Sequence, residues 1–283
     1  MFVAAALCLG LVVGSFLNVV VHRVPRGESI VRPGSRCPAC GHGIGPLENV
    51  PVFSWLFLRG RCRGCAAPIS LRYPLVELIT GLLFAAAAWR FGPGAQAGLV
   101  MLLAAGLLAA ALIDFEHRFI PDAISLGGLA VGLVVVPLAA AGQGAPLGQA
   151  AGHALLGALL GGGLLWSVGF LHARVSVAVG RRFEHWPGEG EPLPRPSQAD
   201  YWLWFPGMGL GDVKLMAAIG AFLGAGGVLE TIVTASLLGL VLGVVQAAFS
   251  RQAAAPFGFG PAIAAGALLV ALVPHPPLIG LLT

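Results

Sequence analysis

Two aspartates lie in apolar sequence: Asp114 closes Ala111-Leu112-Ile113-Asp114, and Asp212 falls within Gly207-Met208-Gly209-Leu210-Gly211-Asp212-Val213-Lys214. Ionisable side chains at membrane depth are costly and mark function by default. Sequence spacing allows two readings. One is a pair of separate ion pairs, Asp114 with Arg118 and Asp212 with Lys214. The other is a shared dyad, in which two carboxyls held close cannot both ionise, so one retains a proton while the other activates a water for attack on a peptide carbonyl. Gly209 and Gly211 permit close backbone approach beside Asp212, which suits an extended substrate. Asp122, in Ile120-Pro121-Asp122, reads either as an acid in the first turn of a helix started by Pro121 or, with Lys214, as support for the site, since it has the chemistry and depth to be mistaken for either aspartate. Glu77, five residues beyond Arg72, either pairs with that arginine or faces the site in a supporting role. Glu230 and His117 read as solvated groups.

A second constellation is Cys37-Pro38-Ala39-Cys40-Gly41 with Cys62-Arg63-Gly64-Cys65. Two CxxC knuckles offer four thiolates at the spacing of a tetrahedral structural zinc site. Two disulfides are the alternative, disfavoured in a reducing cytoplasm, and redox chemistry is a third. The surrounding loop has too few apolar residues for a core of its own, so a bound ion would supply folding energy. Between the knuckles, Phe53, Trp55, Leu56 and Phe57 form a cluster too short to span a bilayer. It either packs on the ribbon, lies in the interface, or binds a small cofactor or substrate. The fifth cysteine, Cys8, reads as helix packing.

The elements that must position these residues are membrane helices. The chain is 57% hydrophobic and 10% charged over 283 residues, with a mean hydropathy of +0.89. That composition excludes a water-soluble fold and predicts an all-α polytopic membrane protein of about eight spans. They are placed at 1–21, 74–91, 97–115, 122–141, 150–172, 210–226, 228–250 and 257–281. With no basic region before the first apolar run, that run reads as an uncleaved helix with its N terminus outside. This topology puts fifteen of the sixteen Lys and Arg residues on one side, leaving Arg90 opposite. The bias assigns that side to the cytoplasm. The formal charge of +4 and pI near 9.1 then reflect topology and anionic lipid headgroups, not nucleic acid. Three regions follow: a first helix at 1–21, a cytoplasmic four-cysteine loop at 22–73 resembling a zinc ribbon, and a seven-helix domain at 74–283. The last carries a cytoplasmic loop at about 173–206, expected to be mobile and partly extended. GxxxG pairs at Gly10/Gly14, Gly128/Gly132, Gly157/Gly161, Gly220/Gly224 and Gly239/Gly243 permit close helix packing, and oligomers without requiring them.

Taken in order, Gly14-Ser15-Phe16-Leu17-Asn18-Val19-Val20, His22-Arg23-Val24-Pro25, the CxxC knuckles, Asn49-Val50-Pro51 with Ser54-Trp55, Ile69-Ser70-Leu71-Arg72-Tyr73-Pro74-Leu75-Val76-Glu77, Ile113-Asp114 with Pro121-Asp122, Gly209-Leu210-Gly211-Asp212 and Pro256-Phe257-Gly258 resemble the bacterial type IV prepilin peptidases. The resemblance runs over nearly the whole chain. It implies an inner-membrane aspartic endopeptidase that removes the basic leader of prepilins and pseudopilins at the cytoplasmic face. It also implies methylation of the new N terminus from S-adenosylmethionine. Asp114 and Asp212 align with the catalytic pair of that family. Gly60-Arg61 stands where the family usually has Gly-Lys, a position linked to methyl transfer; arginine keeps the charge but changes the donor geometry. The 173–206 loop is longer than usual. Competing readings are a peptidase without methyl transfer, a proton-coupled transporter with its acids at the bilayer midplane, and a zinc-ribbon assembly factor whose acids are dispensable.

Overall fold

A computed structural model describes residues 1–180, 194–203, 208–249 and 258–273, with the backbone alone over 245–249. An apolar chain in lipid must satisfy each backbone N–H and C=O internally, and helices do so. Nine α-helices occur among the described residues: α1 Phe2–Arg23, α2 Phe53–Phe57, α3 Arg72–Phe91, α4 Ala95–His117, α5 Asp122–Ala141, α6 Leu147–Ala178, α7 Ala199–Leu203, α8 Leu210–Phe249 and α9 Gly260–Leu272. No strand occurs among them, only the isolated bridges Arg36–Gly43 and Arg61–Pro68.

Among the described residues six helices have the length and apolar composition that a crossing needs, namely α1, α3, α4, α5, α6 and α8, against eight expected spans. The difference has two sources. The expected spans 210–226 and 228–250 are joined in α8, which is broken at Gly224 by a backbone of φ 70°, ψ −177°. A straight helix would set Gly220 and Val228 about 12 Å apart. Instead a Cβ on Gly220 would lie 2.9 Å from the Val228 side chain, so the chain turns back at Gly224. The last expected span, 257–281, is described only over 258–273, where it forms α9, and its remainder lies outside the described residues.

The chain divides into two compact units, 1–113 and 114–283. In the first, α1 packs along α3. Contact is close because α1 presents glycines: a methyl group on Gly10 would sit 2.7 Å from the Thr80 carbonyl oxygen, and one on Gly14 would sit 2.6 Å from Glu77 Cα. Without a hydrophobic force between helices in lipid, such backbone approach supplies the dispersion contacts that hold them. Cys8 lies on the uncovered side of α1, contrary to its assignment to packing.

In the second unit α8 is the hub, packed by α5, α6 and α9. Gly157 and Gly161 of α6 meet the backbone carbonyls of Gly220 and Met216 directly. Glu230, expected to be solvated, is 7% exposed. The predicted 173–206 loop starts later than expected, since α6 remains helical to Ala178. At 32 residues α6 is about 48 Å long, well over the ~30 Å of a hydrocarbon core. Its later turns seat α7. Trp202 stacks on Phe170 (5.4 Å between centroids, 4° between planes) and on Trp166 (6.3 Å, 11°). The Arg174 guanidinium lies 3.6 Å from the Tyr201 ring centroid. Trp166 Nε1 donates to the Trp202 carbonyl at 2.8 Å. The segment 199–203 is therefore a docked helix and not extended chain; residues 181–193 and 204–207 lie outside the described residues.

Candidate active site and metal centre

Asp114 occupies the last turn of α4 and Asp212 the first turn of α8. They are 6% and 9% exposed, and both line one cavity of about 370 Å³. Three backbone segments bring them there. The linker 118–121 turns the chain from α4 to α5, with Arg118 at φ 58° and its N–H bonded to the Asp114 carbonyl at 2.8 Å. Gly211 permits α8 to start against that linker, because a Cβ there would lie 3.1 Å from Ile120 Cβ. Gly209 accepts the Asp212 N–H at 3.1 Å, forming the turn that opens α8.

The third segment is the start of α9. Gly260 N–H, at a helix N terminus, donates to Asp114 Oδ2 at 3.1 Å. A Cβ on Gly258 or Gly260 would sit 2.5 or 2.6 Å from the same oxygen. These glycines are site residues that sequence reading missed in part. The nearby Pro256-Phe257-Gly258 is visible as a motif, but residues 256 and 257 lie outside the described residues, and only the fold discloses that Gly258 and Gly260 crowd Asp114. Gly260→Ala is expected to lower peptide cleavage by about 10²-fold through displacement of the carboxylate. The turnover rate should fall while the protein stays folded.

The ion pairs suggested by spacing do not form. Lys214 Nζ is bound to Asp122 Oδ1 at 2.6 Å, not to Asp212. No Asp114–Arg118 ion pair is present among the described residues. Asp122 and Lys214 stand at the cavity rim with side chains 61% and 25% exposed. The Asp122 carboxylate is exposed and engaged by Lys214, and exposed ion pairs contribute little. Asp122→Asn is accordingly expected to reduce cleavage less than tenfold in the same assay. Glu77 is not among the cavity-lining residues; its Oε2 accepts the Val52 N–H at 2.7 Å.

In the first unit the four knuckle cysteines converge, with all Sγ atoms within 4.8 Å of one another. Cys37–Cys65 and Cys40–Cys62 are 3.9 and 4.0 Å apart. A tetrahedral ion with 2.3 Å bonds to sulfur needs about 3.8 Å between sulfurs, so the donor set fits a metal ion, whereas disulfides need about 2.05 Å. Each knuckle repeats one hydrogen-bond pattern: Cys37 N–H to His42 C=O and Gly41 N–H to Cys37 C=O, then Cys62 N–H to Ala67 C=O and Ala66 N–H to Cys62 C=O, all 2.9 Å. Backbone hydrogen bonds from Cys40 and Ala39 bring the Cys37 thiol down to about 7. Cys40, although the His42 backbone favours its thiolate, is pushed up to about 12 by hydrogen bonding to Cys65 and by desolvation. Uptake of a cation would therefore expel protons from the cluster.

Glu48 ties the knuckles together, a role the sequence did not signal. Its Oε2 meets His42 Nε2 and its Oε1 meets Arg63, both at 3.0 Å. The His42 hydrogen bond, assisted by Arg63, holds this carboxyl below the usual carboxylate range. Trp55 turns inward, its indole against Gly60, while Phe53, Leu56 and Phe57 are 64%, 59% and 93% exposed. Phe53 and Phe57 line a groove with Leu47, Val50 and Arg63. Gly60 has φ 67°, and Arg61 opens the second knuckle.

Comparison with known proteins gives a consistent picture. The family model described as "Bacterial Peptidase A24 N-terminal domain" matches residues 8–91, and that described as "Type IV leader peptidase family" matches residues 101–244. A protein of Stutzerimonas stutzeri named "Prepilin leader peptidase/N-methyltransferase" is 38% identical, with 93% of this chain and 88% of that protein covered. Proteins of the same name from Pseudomonas aeruginosa and Myxococcus xanthus are 37% and 40% identical. The first match covers 93% of this chain and 87% of that protein, the second 87% and 63%. No solved structure matches the chain significantly.

Proposed function

Because this chain belongs to the type IV leader peptidase family, we propose that it removes the leader of prepilins and pseudopilins by aspartic hydrolysis and then methylates the new N terminus. The observation that carries the hydrolytic half is the convergence of Asp114 and Asp212 on one cavity, with the neighbouring cation engaged elsewhere. One carboxylate takes a proton from water as its oxygen attacks the scissile carbonyl, and the partner carboxyl protonates the departing amide nitrogen. The C–N bond then breaks to release leader and amine. A scissile bond must be unwound to be attacked, and the glycines flanking Asp212 leave backbone space beside an extended substrate.

Fifteen of sixteen basic residues on one side of the eight-span topology support an inner-membrane protein with its N terminus outside and site and four-cysteine loop in the cytoplasm. The proposed division is an anchoring helix at 1–21, the loop at 22–73 and a protease domain at 74–283. Zinc is the ion proposed for Cys37, Cys40, Cys62 and Cys65, on the tetrahedral spacing of their sulfurs. S-adenosylmethionine, when bound, would supply an electrophilic methyl group for the unprotonated amine. Gly60 and Arg61 are assigned to this half. The transporter reading is disfavoured because both acids lie at helix ends rather than mid-helix.

The test is purified protein in detergent with a prepilin and methyl-labelled S-adenosylmethionine. A shortened product carrying label on its new N-terminal residue is expected. Absence of shortening would refute the protease, and unlabelled shortened product would reduce the enzyme to a peptidase.

A further inference from the structure

Glu77 is a buried acid that the aspartate cavity does not use. It sits near the start of α3, 8% exposed, and its carboxylate reaches out of the helix to the Val52 N–H at 2.7 Å. Val52 precedes α2 with φ 62°, ψ −50°, and Phe53 N–H donates to the Pro51 carbonyl at 2.6 Å across it. This is a γ-turn with positive φ, a rare and strained conformation, most of all for a β-branched residue. Such strain persists only where surrounding contacts over-determine it. Ser54 braces the preceding chain through Leu47 and Val50, but the Val52 N–H is left to Glu77. A short hydrogen bond to a buried carboxylate is a strong contact of the required kind.

The hold passes onward through named contacts. From Val52 the helix α2 delivers Trp55, whose Nε1 donates to the Ile69 carbonyl at 3.0 Å. The same indole fills the space of a Cβ at Gly60, 2.8 Å from its ring carbon, and Gly60 C=O accepts the Ile69 N–H at 2.7 Å. Gly60 is followed directly by Arg61.

We infer that Glu77 is a positioning residue for methyl transfer: from a membrane helix it latches the strained turn at Val52 and thereby fixes α2, Trp55 and the Gly60-Arg61 segment. The inference rests on the assignment of Gly60 and Arg61 to that reaction. Leader cleavage, performed from the other compact unit, does not depend on it.

The experiment uses the full-length protein in detergent and four forms: wild type, Glu77→Ala, Glu77→Gln, and Glu77→Ala combined with Val52→Gly. Hydrogen exchange of residues 50–61 is expected to rise at least tenfold in Glu77→Ala, and labelled methyl transfer to fall at least tenfold. Leader cleavage should stay within twofold of wild type. Glu77→Gln should lose less than threefold, since its amide oxygen still accepts the Val52 N–H. Val52→Gly should restore much of the loss, because glycine takes positive φ without strain. Unchanged exchange in Glu77→Ala, unchanged methyl transfer, equal loss of cleavage, or a Glu77→Gln defect as deep as that of alanine would each overturn the latch. Raised exchange with a wild type that transfers no methyl group would leave the latch standing and remove the assignment of Gly60 and Arg61 instead.

Discussion

Leader removal is expected to fall by roughly 10³-fold or more when either Asp114 or Asp212 is replaced by asparagine, with helical content and detergent stability unchanged. Asparagine has nearly the shape of aspartate, so the packing of both sites is kept. At Asp114 the substitution even preserves an oxygen to accept the Gly260 N–H now bound at 3.1 Å. What is lost is the ability to take up and return a proton. Neither partner can act for the other, because hydrolysis needs one group to activate water while the second protonates the leaving nitrogen. The double variant should be no slower than either single variant, as residues that act as a unit are non-additive. Gel-based cleavage of a prepilin by purified variants measures this. Full cleavage by both single variants would remove the dyad, and equal loss in Asp122→Asn would move the assignment to the rim.

Metal removal should have the next largest effect, confined to the four-cysteine loop. A structural zinc contributes on the order of 10–16 kcal/mol of binding free energy in small domains, more than a loop with so little core can supply otherwise. Purified protein is expected to carry about one zinc per chain, given a single cluster of four thiols with sulfurs within 4.8 Å. Chelation, or Cys62→Ser with Cys65→Ser, should expose the 30–70 region to protease and abolish labelled methyl transfer. Cleavage of the leader should persist, since the aspartate cavity is built wholly from residues 114 onward. Elemental analysis, limited proteolysis and the two activity assays decide the matter together. Metal-free reduced protein with an ordered loop would refute the structural role. Acidification should release the ion, because protons compete for thiolates.

The order of motifs, the membrane class and the four-thiol donor set were legible in the sequence because each is carried by composition or by spacing along the chain. Apolar runs need no partner to announce a helix in lipid, and two CxxC knuckles bring two thiolates each to a turn before any folding occurs. The aspartates were legible as costly residues, and the family resemblance named them as a pair. Other features lay beyond the sequence for a common reason. Apolar stretches placed the boundary between the expected spans 210–226 and 228–250, but the reversal at Gly224 and the end of α6 at Ala178 depend on packing around α8 and α7. Sequence neighbours suggested Lys214 for Asp212, but residues two apart on a helix point their side chains to different sides.

Local sequence thus determined which groups are present and which helices carry them. Only the tertiary structure decided which groups meet: Lys214 with Asp122, 92 residues away, the Gly260 N–H with Asp114, 146 residues away, and Val52 with Glu77 across 25 residues. Hydrogen bonds and ion pairs act over a few ångströms, so their partners are set by the packing of helices whose contact faces the sequence leaves almost uniformly apolar.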